Sequence, residues 1–149
     1  EQPDQGVIDV INEYDNSILF ADFFLQQLFS LVKEKQNDAV ATITYFSDHG
    51  EEVYQQANLK GHSPDNLTPN MFEIPFVFWS SDQQRITSYR THKSSPFMLD
   101  SFYHYASQVM AIDSANVNPE AGLISDQYQP PAVRMVYKTG YDTQLRNSR

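Results

Sequence analysis

Apolar residues at Ile8, Ile11, Ile18, Ala21, Leu25, Leu28 and Val32 recur near three- and four-residue spacing, which predicts a helix over 7–36. Asn12, Asp15 and Asn16 are candidate caps, so the stretch also reads as two helices in tandem. Phe20, Phe23, Phe24 and Phe29 widen the stripe until it nearly circles the helix, as in a helix buried on several sides. Residues 1–6 read as a polar, frayed start, and Asn37-Asp38 as the stop. Residues 39–46 (AVATITYF) are β-branched and apolar on both parities, fitting a strand covered on both faces, as in the parallel sheet of an α/β fold. Residues 74–80 (IPFVFWS) predict a second buried strand, with Pro75 at its start, where a missing N–H is tolerated. Between them, 50–73 is polar, carries Gly61, Pro64 and Pro69, and reads as a long loop of the kind that usually serves function. Residues 81–97 read as a polar connection and 99–112 as an amphipathic helix with Phe102, Tyr103, Ala106, Val109 and Met110 inward. A loop over 113–132 stops at Pro130-Pro131, and 132–138 reads as a last, edge strand.

The order helix, strand, loop, strand, helix, strand is half of a layered α/β sandwich. Two central-looking strands call for more neighbours than the chain offers, so residues 1–149 are expected to form part of a domain. Exposed edges and apolar faces would then favour self-association. The charge balance, 10 Lys and Arg against 19 Asp and Glu, argues against a nucleic-acid partner, which needs a basic face. Ten Phe, nine Tyr and one Trp are too many for a disordered acidic tail. The absence of cysteine excludes a disulfide framework, a thiol nucleophile and a Cys-rich zinc site. The most apolar run, 18–32, is broken by Asp22, Gln26, Gln27 and Ser30 and is too interrupted to span a membrane.

Asp48 and His49 leave the C-terminal end of the first predicted strand, the place where open α/β sheets bind ligands. A carboxylate and an imidazole are both good zinc donors, and Gly50 permits the turn that would let both reach one ion. The same pair also serves as an ordinary loop surface, since two ligands do not make a site. His62, in the long loop, is a candidate third ligand or a donor to a bound oxyanion; a solvated loop histidine is the alternative. Glu51 and Glu52 could accept a hydrogen bond from a ligating imidazole, or could open a short helix. His92 reads as solvated and His104 as a hydrogen-bonded core histidine. The chain has no glycine-rich phosphate loop and no Ser-His-Asp order.

Five segments in register resemble the C-terminal part of the phosphoethanolamine transferases, sulfatase-like members of the alkaline phosphatase superfamily. They are Tyr14-Asp15-Asn16-Ser17-Ile18 with Asp22; Tyr45-Phe46-Ser47-Asp48-His49-Gly50-Glu51-Glu52-Val53-Tyr54; Gly61-His62-Ser63-Pro64-Asp65-Asn66; Glu73-Ile74-Pro75-Phe76-Val77-Phe78-Trp79; and Pro96-Phe97-Met98-Leu99-Asp100-Ser101-Phe102-Tyr103-His104. The Asp-His-Gly-Glu-Glu-Val-Tyr run is closer to the branch that modifies the lipopolysaccharide core than to the lipid A branch. The resemblance implies a partial sulfatase-like α/β sandwich, a mixed sheet flanked by helices, at the periplasmic face of the bacterial inner membrane. It implies a zinc enzyme whose threonine nucleophile takes phosphoethanolamine from phosphatidylethanolamine and passes it to a lipopolysaccharide-type glycolipid. Asp48 and His49 match the zinc ligands of that family. His62 matches a later histidine that serves a second metal or the substrate phosphate. Glu51 would support a ligating imidazole. The sequence departs from the family around Gly61-His62-Ser63, where members often carry a longer glycine-containing stretch and a His-Gly pair. The family's nucleophile, a glutamate ligand and a further histidine belong to its upstream half, so that half is the expected partner and the isolated chain is expected to be inactive. A sulfatase-type or phosphodiesterase hydrolase on the same scaffold, or a non-catalytic interaction module, are the competing expectations.

Overall fold

A computed structural model describes residues 4–37 and 39–148; the predicted fraying of residues 1–3 and the Asp38 half of the helix stop lie outside them. Helix α1 is a single helix, Gln5–Lys35, not a tandem pair. Its cap is Asp4, whose carboxylate accepts the Gly6 N–H at 2.8 Å, so Asn12, Asp15 and Asn16 are ordinary helical positions. Lys33 and Lys35 favour the negative end of the helix dipole. The predicted burial on several sides is not found in this chain: α1 has no buried residue, and Leu19 and Phe20 are 66% and 69% exposed. The helix meets the sheet through Phe29, edge-on to Trp79 at 5.8 Å between ring centroids.

Strands β1 (Thr42–Phe46) and β4 (Phe76–Ser80) pair with each other. They run antiparallel, with Thr44 opposite Phe78 and Phe46 opposite Phe76, where the apolar run of 39–46 suggested a parallel sheet. A strand apolar on both parities reports cover on two faces and says nothing of direction. Both faces are indeed used. Trp79 faces α1, while Phe46, Phe76 and Phe78 point to the other side. There they meet helices α2 (Gln83–Thr91) and α3 (Phe102–Val109). Tyr105 of α3 is almost fully buried, packs edge-on to Phe76, and shares a 2.7 Å hydrogen bond with the Thr44 hydroxyl. Leu123 and Tyr128 complete this core from the C-terminal segment.

The segment 81–97, predicted to be a polar connection, contains α2. Asp82 caps it by accepting the Gln84 N–H, and its few apolar side chains, Ile86 and Tyr89, leave too thin a stripe to read from sequence. The predicted loop 50–73 contains a two-residue antiparallel pair, β2 (Glu52–Val53) with β3 (Lys60–Gly61), and a 3-10 turn at Pro69–Met71. The predicted final strand is a short hairpin, β5 (Met135–Val136) with β6 (Thr139–Gly140), turned at Tyr137 with φ of 53°. All three pairs among the described residues are antiparallel and two-stranded, in a mixed α/β arrangement of helices and small sheets.

Gly50 locks the end of β1 to the Pro69–Met71 turn. Its N–H donates to the Met71 carbonyl at 3.0 Å, and a Cβ there would run into the carbonyl oxygens of Asn70 and Glu73. Gly50→Ala is expected to cost at least about 2 kcal/mol, in the upper half of the range for overpacking, because backbone has to move. A denaturant titration checks this; an unchanged midpoint would show that the turn gives way freely.

Candidate metal centre

β1 ends at Phe46, and Ser47 begins the turn: its hydroxyl donates to the His49 carbonyl at 2.8 Å. Asp48 and His49 therefore project together from the rim of the sheet. The Asp48 carboxylate accepts the His49 backbone N–H at 3.1 Å, and its Oδ2 lies 3.8 Å from His49 Nε2. Two donors held about 2.0–2.2 Å from one zinc ion lie at most about 4.4 Å apart, so the pair converges closely enough to share an ion. His49 Nδ1 lies 3.0 Å from the Gly50 carbonyl. A carbonyl only accepts, so this contact places the proton on Nδ1 and leaves the Nε2 lone pair for a metal. That hydrogen bond to the Gly50 carbonyl leads the upward shift of the His49 pKa, with Asp48 and Glu51 adding to it against desolvation. His49 in turn holds the Asp48 carboxyl below its ordinary value, aided by the backbone N–H.

β2 and β3 bring the long loop back to this corner. In their register Glu52 stands opposite Gly61, which sets Glu51 beside His62. Glu51 Oε1 is 3.3 Å from His62 Nδ1 and 3.6 Å from His49 Nδ1, and the two imidazole rings are 4.4 Å apart between centroids. One donor atom each from His49, Glu51 and His62 falls within 4.8 Å of the other two. Asp48 lies outside that trio, on the Nε2 side of the His49 ring. Glu51 Oε2 is buried and has no hydrogen-bond partner among the described residues. A carboxylate oxygen sealed from water beside two imidazoles is the donor chemistry a divalent cation satisfies. The residues therefore fit a metal in two ways that meet at His49: Asp48 with Nε2, and Glu51 with His62.

Glu52, the other acid of the motif, plays a separate part. It opens no helix; it is fully buried, and its carboxylate accepts the Gln55 and Gln56 N–H groups and the Thr68 hydroxyl at 2.5, 2.8 and 2.7 Å. Desolvation pushes its pKa up, and these hydrogen bonds together outweigh it, so the carboxyl sits below its ordinary value. His104 is half-buried and accepts the Asn118 N–H at 3.1 Å, as a hydrogen-bonded histidine of the inner helix should. His92, which its sequence neighbours suggest is solvated, is half-buried and packs edge-on to Tyr128 at 5.3 Å.

A cavity of about 530 Å3 opens beside Asp48 and His49. Arg134 and Tyr141, which sequence reasoning did not single out, line it. The Arg134 guanidinium pairs with both carboxylate oxygens of Asp142, and the Tyr141 hydroxyl donates to Glu73. No short motif marks these residues; the packing of Tyr137 on Phe72 and the Tyr141–Glu73 hydrogen bond bring them here.

The sulfatase family model matches residues 1–113. Phosphoethanolamine transferase EptC of Escherichia coli strain RS218 is 30% identical over 128 residues, which cover 82% of this chain and 22% of that protein. The Kdo(2)-lipid A phosphoethanolamine 7''-transferase of Salmonella typhimurium is 32% identical over 74 residues, 50% of this chain and 12% of that protein. The solved C-terminal periplasmic domain of EcEptC from Escherichia coli superimposes with a TM-score of 0.83 at 25% identity, covering 99% of this chain and 44% of that one. Its complex with Zn gives 0.82 at 26% identity over 95% of this chain and 42% of that one. The chain thus spans about a fifth or less of the length of these curated relatives and under half of the solved domain. It belongs to the sulfatase family, and its relatives there are phosphoethanolamine transferases.

Proposed function

We propose that this chain is the C-terminal portion of the catalytic domain of a metal-dependent phosphoethanolamine transferase. The enzyme would move phosphoethanolamine from phosphatidylethanolamine to a lipopolysaccharide-type glycolipid at the periplasmic face of the inner membrane. The observation that carries this reading is the paired delivery of Asp48 and His49 from the sheet rim, with Nε2 left free by the Gly50 carbonyl. Its kinship to transferases and to a zinc-bound periplasmic domain supports the same chemistry.

In this reading Asp48 and His49 hold zinc. His62 serves a second metal or the phosphate, and Glu51 fixes the His62 ring through the 3.3 Å contact. Bound zinc would neutralise charge on the transferring phosphoryl group and lower the pKa of the nucleophile. The protein's own contribution is orientation: Ser47, Gly50 and Glu51 hold the donors before any ion arrives. Asp48 and His49 offer two donors where a catalytic zinc site takes three from protein, so the isolated chain should bind zinc weakly and be inactive. The test is phosphoethanolamine on the glycolipid of cells expressing the complete gene, with and without His49→Ala. The modification should appear and should vanish in the variant; its persistence would overturn the reading.

The apolar face of α1 bears on how the chain behaves alone. Phe20, Phe23 and Phe24 are each more than half exposed on one helix, and the rest of the domain is the natural cover for them. The 149-residue chain is therefore expected to self-associate in size-exclusion chromatography and to bind a hydrophobic dye. Phe20→Ser with Phe23→Ser should shift it towards monomer and reduce the dye signal; a dye-silent wild-type monomer would count against an uncovered face.

A further inference from the structure

The β5–β6 hairpin and the residues after it reach back to the turn that supports His49. The Tyr141 hydroxyl donates to the Glu73 carboxylate, across 68 positions of sequence. Tyr141 is buried and held from two directions. Its N–H donates to the Arg134 carbonyl at 2.7 Å, and the Arg134 guanidinium carbon lies 4.6 Å from the centre of its ring. That guanidinium is itself fixed, with Nε donating to Asp142 Oδ2 at 2.9 Å. Tyr137 adds a second tie from the hairpin, edge-on to Phe72 at 6.3 Å.

Glu73 closes the turn on which Gly50 rests. Its N–H donates to the Pro69 carbonyl at 3.0 Å, and the Gly50 N–H donates to the Met71 carbonyl at 3.0 Å. Gly50 packs so closely on this turn that a Cβ would lie 2.9 Å from the Glu73 carbonyl oxygen. On its other side, the Gly50 carbonyl holds His49 Nδ1 at 3.0 Å. A contiguous path of direct contacts therefore runs from the Tyr141 hydroxyl through Glu73 and Gly50 to the His49 ring. The path ends on an element with two discrete states. A neutral imidazole carries its proton on Nδ1 or on Nε2, and only the first state leaves Nε2 a donor.

We propose that Tyr141 is a positioning residue for His49: through Glu73 it holds the Gly50 carbonyl where that oxygen keeps the imidazole proton on Nδ1. Tyr141 lies beyond residue 113, where the family match ends, so a segment outside the matched stretch readies a candidate ligand inside it. Apparent affinity falls with the fraction of molecules in the competent state, so the tie prepares the corner before any ion arrives. The inference deepens the transferase reading and rests on it only for why a free Nε2 matters; the tautomer is defined without a metal.

The test labels the four histidines of the metal-free 149-residue chain with nitrogen-15 and reads the ring nitrogen shifts by NMR. Spectra are taken at about pH 9, above the histidine range, so every ring is neutral. Wild-type His49 should carry its proton on Nδ1. Tyr141→Phe keeps the ring and removes the hydroxyl. It should lower the ratio of the Nδ1–H to the Nε2–H form at His49 by at least about twofold, the lower end for substitutions along a coupled path. Hydrogen exchange at the Gly50 amide should quicken, while the β1–β4 ladder amides stay as they are. Tyr128→Phe is the control: its hydroxyl also donates to a backbone carbonyl, that of Pro96, but off this path, so His49 should be unmoved. An unchanged ratio or unchanged Gly50 exchange in Tyr141→Phe, or an equal shift in Tyr128→Phe, would each overturn the proposal. If Tyr141→Phe does not fold, Glu73→Gln decides. It keeps an acceptor oxygen without the charge and should move the ratio the same way by less; no movement overturns the proposal. The measurement involves neither metal nor turnover, so an unmoved ratio leaves the transferase reading standing. A failed transfer assay would likewise leave this result untouched.

Discussion

His49→Ala should lower the zinc affinity of the chain by more than about 100-fold, the largest effect of any single substitution at this corner. Removing an outer partner of a metal ligand typically costs about 10–100-fold, and His49 is more central than that. It is the one residue in contact with both neighbours, with Nε2 towards Asp48 and the protonated Nδ1 towards the Gly50 carbonyl and Glu51. Deleting it leaves Asp48 and the Glu51–His62 pair as separate fragments of a site. Glu51→Gln keeps the shape and removes the charge, so its loss should fall within the 10–100-fold range of an outer partner. Competition with a calibrated chelator measures both. Equal affinities for wild type and His49→Ala would show that zinc binds elsewhere.

Glu52→Ala should be the most destabilising change in the loop that carries His62. The carboxylate is sealed from solvent and serves two backbone N–H groups and a hydroxyl. A buried donor left without a partner costs about 1–3 kcal/mol, so a loss of at least about 3 kcal/mol is expected. For a chain of this size that corresponds to a drop of roughly 6–12 °C in Tm. Glu52→Gln keeps the volume and presents an amide to N–H donors, and should fall between. The pH dependence follows from the depressed carboxyl. A group whose folded pKa lies below its unfolded value of about 4.3 stabilises fully above that pH, and the contribution disappears as pH falls through the folded value. Wild type should therefore lose stability on acidification more steeply than Glu52→Gln. Parallel acid titrations of the two would show that this carboxylate carries no linkage.

The clustering of the candidate ligands is more legible in the sequence than the architecture around it. Asp48, His49, Glu51 and His62 stand close enough in the chain, or in register across β2 and β3, for a short motif to name them. Strand existence was legible as well, because β1 and β4 are β-branched or aromatic runs with buried faces. Their direction was not, since cover on both faces is compatible with either pairing. Helix α2 was hidden because its surface is polar and only Ile86 and Tyr89 mark its inner side. The nearly all-round apolar pattern of α1 predicts burial on several sides, whereas the helix has no buried residue, because an apolar stripe reports what a helix could bury and not what packs on it. Arg134, Asp142, Tyr141 and Glu73 come together across up to 68 positions of sequence, and nothing local announces such a meeting.

The central aromatic cluster joins Tyr105, from the family-matched stretch, to Leu123 and Tyr128, from the segment beyond it. The C-terminal segment is thus no detachable appendage: the same stretch that shapes the cavity also keeps the interior dry. Divergence among descendants of this sequence would accordingly be channelled. Exposed positions such as Lys93 and Arg146 are at liberty to change, while Leu123 and Tyr128 are tethered to folding and have to stay greasy.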